Sequence, residues 1–253
     1  MRIFAISDLH LDYQQNVNWL LDLSVSDYTD DVLILAGDIS DNLELLEHCF
    51  EQLMRRFRHV AFVPGNHDLW TIRDKVYRTS FDKFNRICQL AIDYGVSTKP
   101  VHLPGVSIVP LFSWYDFTFG EPSEQLLQVW MDFRACEWGR DVTSPDITQF
   151  FLDKNLPNLQ TSHQSIISFS HFLPRIDVMP SFIPLSSRYI YPVLGSDLID
   201  AQVRQLSSKI HVYGHSHVNR DCMISGIRYI NNAFGYPGED HISLKRLVRI
   251  YES

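Results

Sequence analysis

Seven side chains with metal-ligating chemistry stand just past short apolar runs: Asp8, His10, Asp38, Asn66, His171, His215 and His217. Arg2 to Ile6 runs into Ser7-Asp8-Leu9-His10, and Val32 to Ala36 runs into Gly37-Asp38. Val60 to Val63 runs into Pro64-Gly65-Asn66-His67-Asp68. Ile166 to Ser170 ends at His171, and Ile210 to Tyr213 ends at Gly214-His215-Ser216-His217. Carboxylate, imidazole and amide together suit divalent first-row ions such as Mn²⁺, Fe²⁺ or Zn²⁺ better than Ca²⁺, which prefers all-oxygen cages. The set is too large for one tetrahedral zinc, but it fits two sites sharing a carboxylate. Two ions about 3.5–4 Å apart clamp the attacking and departing oxygens of an in-line displacement. The chemistry expected is metal-dependent hydrolysis with two divalent cofactor ions.

The elements that must aim these side chains are short strands. Each apolar run has strand length and delivers its ligands at its C-terminal end, the edge where an open α/β sheet binds ligands. Between the strands the spacing predicts helices over 16–24 and after Asp41 or Asn42, where Leu43, Leu46, Phe50, Leu53 and Phe57 recur at helical intervals. A longer helix is expected over about 73–94, ended by Gly95, then one over 145–156 capped by Ser144 and one over 197–206. This βαβ alternation predicts a parallel sheet with right-handed crossovers. Val101 to Leu111 reads as one or two strands broken at Pro104-Gly105. Ile227 to Ile230 and Ile242 to Tyr251 read as strands that close a second sheet. The stretch 172–193 holds four prolines and reads as a structured loop. No repeat or linker divides the chain, so one domain over residues 1–253 is expected.

Residues 112–138 are rich in aromatics: Phe112, Trp114, Tyr115, Phe117, Phe119, Trp130, Phe133 and Trp138. They read as an inserted loop-helix segment near the active edge. For most of these rings core packing is the readier account. Trp114 and Tyr115 directly follow a strand end and are the candidates for a substrate wall.

Composition narrows the function classes. With 253 residues, 45% of them hydrophobic, the chain can bury a substantial core. The formal net charge of −8 disfavours an extended nucleic-acid footprint. Four widely spaced cysteines form no C-x-x-C pair, which points to free thiols in a reducing, cytoplasmic compartment. No stretch approaches the roughly 18 apolar residues of a membrane span, so no membrane partner is expected. His48, His59, His102, His163, His211 and His241 fall in no motif and read as ordinary packed or surface residues.

Asp-x-His, Gly-Asp, Gly-Asn-His-Asp, a strand-ending His and Gly-His-x-His occur here in that order. The chain thereby resembles the calcineurin-like metallophosphoesterase superfamily, with motifs spanning residues 8 to 217. The resemblance implies an α/β fold, a four-layer αββα sandwich of two mixed β-sheets. It implies one metal held by Asp8, His10 and His217, a second held by Asn66, His171 and His215, and Asp38 bridging both. It further implies a metal-bridging hydroxide as nucleophile, with His67 as general acid and Asn66 and His67 meeting the substrate. In the protein-phosphatase branch an Asp three residues after the bridging one orients that His. Asp41 holds this position here, with helix capping as its competing role.

The same comparison points away from protein phosphatases. They follow the bridging Asp with a phosphate-gripping Arg, and here Gly37-Asp38-Ile39-Ser40-Asp41-Asn42 puts Asn42 in its place. A small phosphomonoester or phosphodiester is the expected substrate. Arg73, Arg175 and Arg188 follow strand-end motifs and are substitute grips by position alone. A nuclease of the same superfamily is disfavoured by the acidic balance. A silent protein-binding scaffold is disfavoured because the seven ligand positions and His67 are all filled.

Overall fold

The computed structural model describes residues 1–253 apart from Lys75, His163 and Gln164. The part of the expected 73–94 helix that crosses Lys75, and the reading of His163, lie outside the described residues.

Strands β1 (Arg2–Ile6), β2 (Val32–Leu35) and β3 (His59–Phe62) pair in parallel. Their apolar runs are nearly continuous because both faces of a parallel sheet are covered. Helix α1 (Gln14–Asp22) joins β1 to β2, and α2 (Leu43–Met54) joins β2 to β3. Asn42 caps α2, its side-chain oxygen accepting from the Glu44 N–H at 2.9 Å. Phe50 of α2 meets Phe62 of β3 edge-on at 5.1 Å between centroids. Helix α3 (Ser80–Asp93) starts seven residues later than the expected 73. Its true start is a capping box, in which Thr79 and Asp82 satisfy each other's backbone N–H groups.

The second sheet contains β4 (Val101–Leu103), β5 (Val106–Pro110), β6 (Ile166–Phe169), β7 (Ile210–Tyr213), β8 (Arg220–Ile224) and β9 (Ile227–Asn231). Its order is β4-β5-β6-β7-β9-β8, with antiparallel hairpins at both edges. Strand β8 was not expected, since its alternating Arg-Asp-Cys-Met-Ile carries little apolar signal. The expected 242–251 strand is corrected in length and place. The strand is β10 (Val248–Glu252), and it pairs antiparallel with β1 in the first sheet, giving the order β10-β1-β2-β3. Residues just before it form a turn in which Ser243 Oγ bonds back to Phe234 O at 3.0 Å, so they cannot extend.

Between β5 and β6 run α4 (Glu124–Val129), α5 (Asp132–Ala135) and α6 (Ser144–Asn155), and α7 (Asp197–Gln205) precedes β7. Thr143 caps α6, one residue earlier than expected. Buried residues of both sheets and their helices join in one apolar core. The architecture is the αββα sandwich of two mixed sheets.

Candidate active site

The ends of β1, β2, β3, β6 and β7 meet at one edge of the sandwich. The turns there are unusual. Asp8, His10, Asp38, His215 and His217 all have positive φ, between 42° and 66°. This left-handed conformation is sparse for residues with a Cβ and costs on the order of 1 kcal/mol or more each. Buried hydrogen bonds hold it. The Asp68 carboxylate accepts from the backbone N–H groups of Asp38, Ile39, Ser40 and Gly65 at 2.8–3.0 Å, tying the β2 turn to the β3 turn. A Cβ at Gly65 would stand 2.2 Å from Asp38 Oδ1, so only glycine lets these turns close.

The hydrogen bonds behind the donors fix which atoms face inward. His171 Nδ1 donates to Ala36 O at 2.8 Å, leaving Nε2 as a lone pair. His215 Nε2 donates to Val193 O at 3.1 Å, leaving Nδ1 as a lone pair. Asn66 Nδ2 donates to Asp132 at 2.8 Å, which turns its carbonyl oxygen inward. These acceptor atoms crowd together. His171 Nε2 is 3.1 Å from Asn66 Oδ1, 3.3 Å from His215 Nδ1 and 3.5 Å from Asp38 Oδ2. Acceptors without a proton between them repel unless a cation lies among them. On the other side His217 Nδ1 donates to Glu239 at 2.7 Å, and its Nε2 is 3.0 Å from His10 Nε2 and 3.4 Å from Asp8 Oδ1. The geometry thus groups Asp8 with His10 and His217, Asp38 with His171 and His215, and, between them, His10 with Asp38 and His67. The residues fit divalent metal ions in their donor chemistry, their tautomers and their convergence.

The electrostatics agree. Burial, reinforced by Asp8 and Asp68, pushes Asp38 well above its ordinary value. Burial pushes His10, His171 and His215 down, favouring the neutral imidazole that can ligate, and pushes His67 down to about 3. His217 goes the other way. Burial opposes a proton there, but Asp8 and Glu239 raise it to about 9.

Beside the donors lies a cavity of about 320 Å³. His67, Asn66 and Tyr236 reach it, and Trp70, Trp130 and Ile242 form its apolar wall. The His67 ring stacks on Trp70 at 3.7 Å, and its Nε2 is 3.3 Å from the Tyr236 hydroxyl. Among the described residues lining this cavity there is no lysine or arginine.

Several expected roles need correction. Trp114 and Tyr115 do not wall this cavity. Each is about 1% exposed, they stack on each other at 5.0 Å, and both pack against Phe172. Following β5, they sink into the core instead of rising from the edge, and they border a separate cleft. Asp41 makes no hydrogen bond to His67 among the described residues. Its carboxylate faces Arg73 at 3.3 Å instead, and the cap is Asn42. Arg73 also bonds Asp12, Arg175 bonds Asp177, and Arg188 bonds the carbonyls of Ile183 and Ser181. None of the three arginines lines the cavity.

Other functional residues were not foreseen. Asp132 accepts from Asn66, from Trp70 Nε1 at 2.7 Å and from Trp130 Nε1 at 2.8 Å, so one buried carboxylate aims a ligand and holds both indoles. Glu239 and Tyr236 come from the segment after β9. Only Trp70 had a local signal, standing just past Gly-Asn-His-Asp.

Residues 1–219 match the family model described as calcineurin-like phosphoesterase. The chain is 27% identical to the acyl-carrier-protein phosphodiesterase PptH of Mycobacterium tuberculosis, over 94% of this chain and 78% of that protein. The crystal structure of Phosphopantetheinyl Hydrolase (PptH) from Mycobacterium tuberculosis superposes with a TM-score of 0.81 at 22% identity, covering 100% of this chain and 96% of that one. With the family motifs filled and the fold matched, the chain belongs to the calcineurin-like phosphoesterases and is a phosphoester hydrolase.

Proposed function

We propose that this enzyme is a dinuclear metal-dependent phosphodiesterase. Its substrate class is a phosphopantetheinyl group joined through phosphate to an acyl carrier protein. One observation carries the metal reading: inward-facing donor atoms gather in adjoining clusters, one of Asp8, His10 and His217 and one of Asp38, His171 and His215 beside Asn66. The substrate reading rests on the likeness to PptH.

Asp8, His10 and His217 would hold one ion, Asn66, His171 and His215 the other, and Asp38 would bridge them. Bound ions of this kind acidify water and neutralise phosphoryl oxygens. Asp68 keeps the β2 and β3 turns closed, so Asp38 and Asn66 stay aimed without reorganisation. His67 lies in the cavity wall with Nε2 4.0 Å from Asp38 Oδ2. An arriving phosphoester anion favours its protonated form, and the imidazolium then gives its proton to the leaving oxygen. Trp70, Trp130 and Ile242 offer an apolar face to the organic part of the ester and keep water from it. Four free thiols support a reducing, cytoplasmic setting.

The test is incubation of purified protein and Mn²⁺ with a holo-acyl carrier protein, read by intact mass. Bis-p-nitrophenyl phosphate and p-nitrophenyl phosphate run alongside, with elemental analysis of the enzyme. Loss of the phosphopantetheinyl mass is expected. Cleavage of the nitrophenyl diester with an untouched carrier protein would remove the substrate class and leave the phosphodiesterase. Metal-free protein inert toward every ester, with Mn²⁺, Fe²⁺ or Zn²⁺ added, would remove both.

A further inference from the structure

The family match ends at residue 219, yet the segment after β9 reaches the cavity. Tyr236 is held there from every side. Its N–H donates to Glu239 Oε2 at 2.7 Å, and its carbonyl accepts from Lys245 Nζ at 2.9 Å. Its ring lies on His10 at 4.3 Å and 33°, and beside His217 at 4.8 Å. The hydroxyl is thereby fixed 3.3 Å from His67 Nε2, facing the cavity.

Neighbouring donors are already committed. The Trp70 and Trp130 indole N–H groups and the Asn66 amide all donate to Asp132. No lysine or arginine is among the described residues that line the cavity. Beside His67 the Tyr236 O–H is a neutral donor that faces the cavity. A phosphodiester carries one negative charge where a monoester carries nearly two. An arginine matches the latter, whereas one neutral O–H beside bound cations suffices for the former.

We propose that the Tyr236 hydroxyl is a catalytic hydrogen-bond donor to a non-bridging phosphoryl oxygen, placed to suit a singly charged phosphodiester. This deepens the phosphodiesterase reading and rests on it.

Tyr236→Phe removes the hydroxyl and keeps the ring on His10. Mn²⁺-loaded wild type and variant are compared on aryl phosphodiesters whose leaving groups span a range of pKa, with metal content measured on both. Unchanged metal content and a kcat lower by about 10²-fold are expected, as for loss of one preorganised donor. The factor is expected to be the same across the series, because the non-bridging oxygen is common to all. Turnover within twofold of wild type overturns the proposal. So does a loss that grows with leaving-group pKa, because the hydroxyl then acts through His67. Calorimetry with dimethyl phosphate separates the two readings. An inactive wild type that still binds it more tightly than the Phe variant sinks the hydrolase reading and keeps the donor. Equal binding with equal turnover sinks the donor alone.

Discussion

The two sheets furnish the site with different mixtures of donors, one mainly of oxygen and one wholly of imidazole, secured by unlike means. The turns after β1, β2 and β3 contribute Asp8, His10, Asp38 and Asn66, and backbone amides hold the carboxylates. Asp8 accepts from the His215 N–H, Asp38 from the His67 N–H, and Asp68 gathers four more. The turns after β6 and β7 contribute His171, His215 and His217, each with an acceptor behind its outer nitrogen: Ala36 O, Val193 O and Glu239. A carboxylate needs its direction fixed, since either oxygen ligates. An imidazole needs its tautomer fixed, since only the unprotonated nitrogen does. The carboxylate donors therefore sit in cradles of N–H groups, and the imidazoles of the second sheet are propped from behind by oxygen.

Asp38 would bridge the two ions of the proposed site, so its loss is the severest break. Asp38→Ala is expected to abolish hydrolysis and strip both ions, whereas His215→Ala or His217→Ala strips mainly one; elemental analysis reads this directly. Wild-type turnover by the Asp38 variant would end the bridging assignment. His67→Ala is expected to keep both ions and to lower turnover by about 10²–10⁴. The loss should be greatest for esters with poor leaving groups, and equal loss for good and poor ones would argue against proton donation. Asp132→Ala probes the props. It leaves the Asn66 amide and two indole N–H groups without their acceptor, and a drop of about 10–100-fold in activity or metal affinity is expected. A variant matching wild type in both would show that Asn66 needs no such support.

The smallest effect belongs to the opposite end of the first sheet. There Asp31, 4% exposed, accepts from Arg2 N at 2.8 Å and Nε at 2.9 Å. Burial opposes ionisation, but the Arg2 hydrogen bonds keep Asp31 below its ordinary 3.8. A carboxyl lowered in the folded state stabilises above its unfolded pKa, and that stability is lost as pH falls through the folded value. Asp31→Asn should therefore lower Tm slightly at neutral pH and leave kcat unchanged. The difference from wild type should vanish on acidification below that window. A change in kcat would mean that the two ends of the sheet are not independent.

What was legible in the sequence was local. Strand, turn and donor follow one another within a few residues at Asp8, Asp38, Asn66, His171 and His215, so composition and spacing reported them together. The start of α3 is set by the Thr79–Asp82 capping box, which the expected 73–94 span overlooks, and the place of β10 by its pairing with β1, since strand-like composition does not name a partner. The props were hidden for a deeper reason. Asp132 meets Asn66 across 66 positions of chain, and Tyr236 meets His67 across 169. Neither pairing leaves a trace until the sandwich closes. Trp114 and Trp130 look alike as letters, and only packing decided which one borders the cavity.

The bond from His171 to Ala36 O has a mechanical meaning. It runs from the end of β6 to the end of β2, so a ligand from one layer is oriented by the backbone of the other. Sliding of the layers by an ångström or two would swing this ring away from its partners. Ion retention and shear resistance are then one property of the molecule. Chelation should speed amide exchange at the β2 and β6 ends together, well before either sheet frays alone.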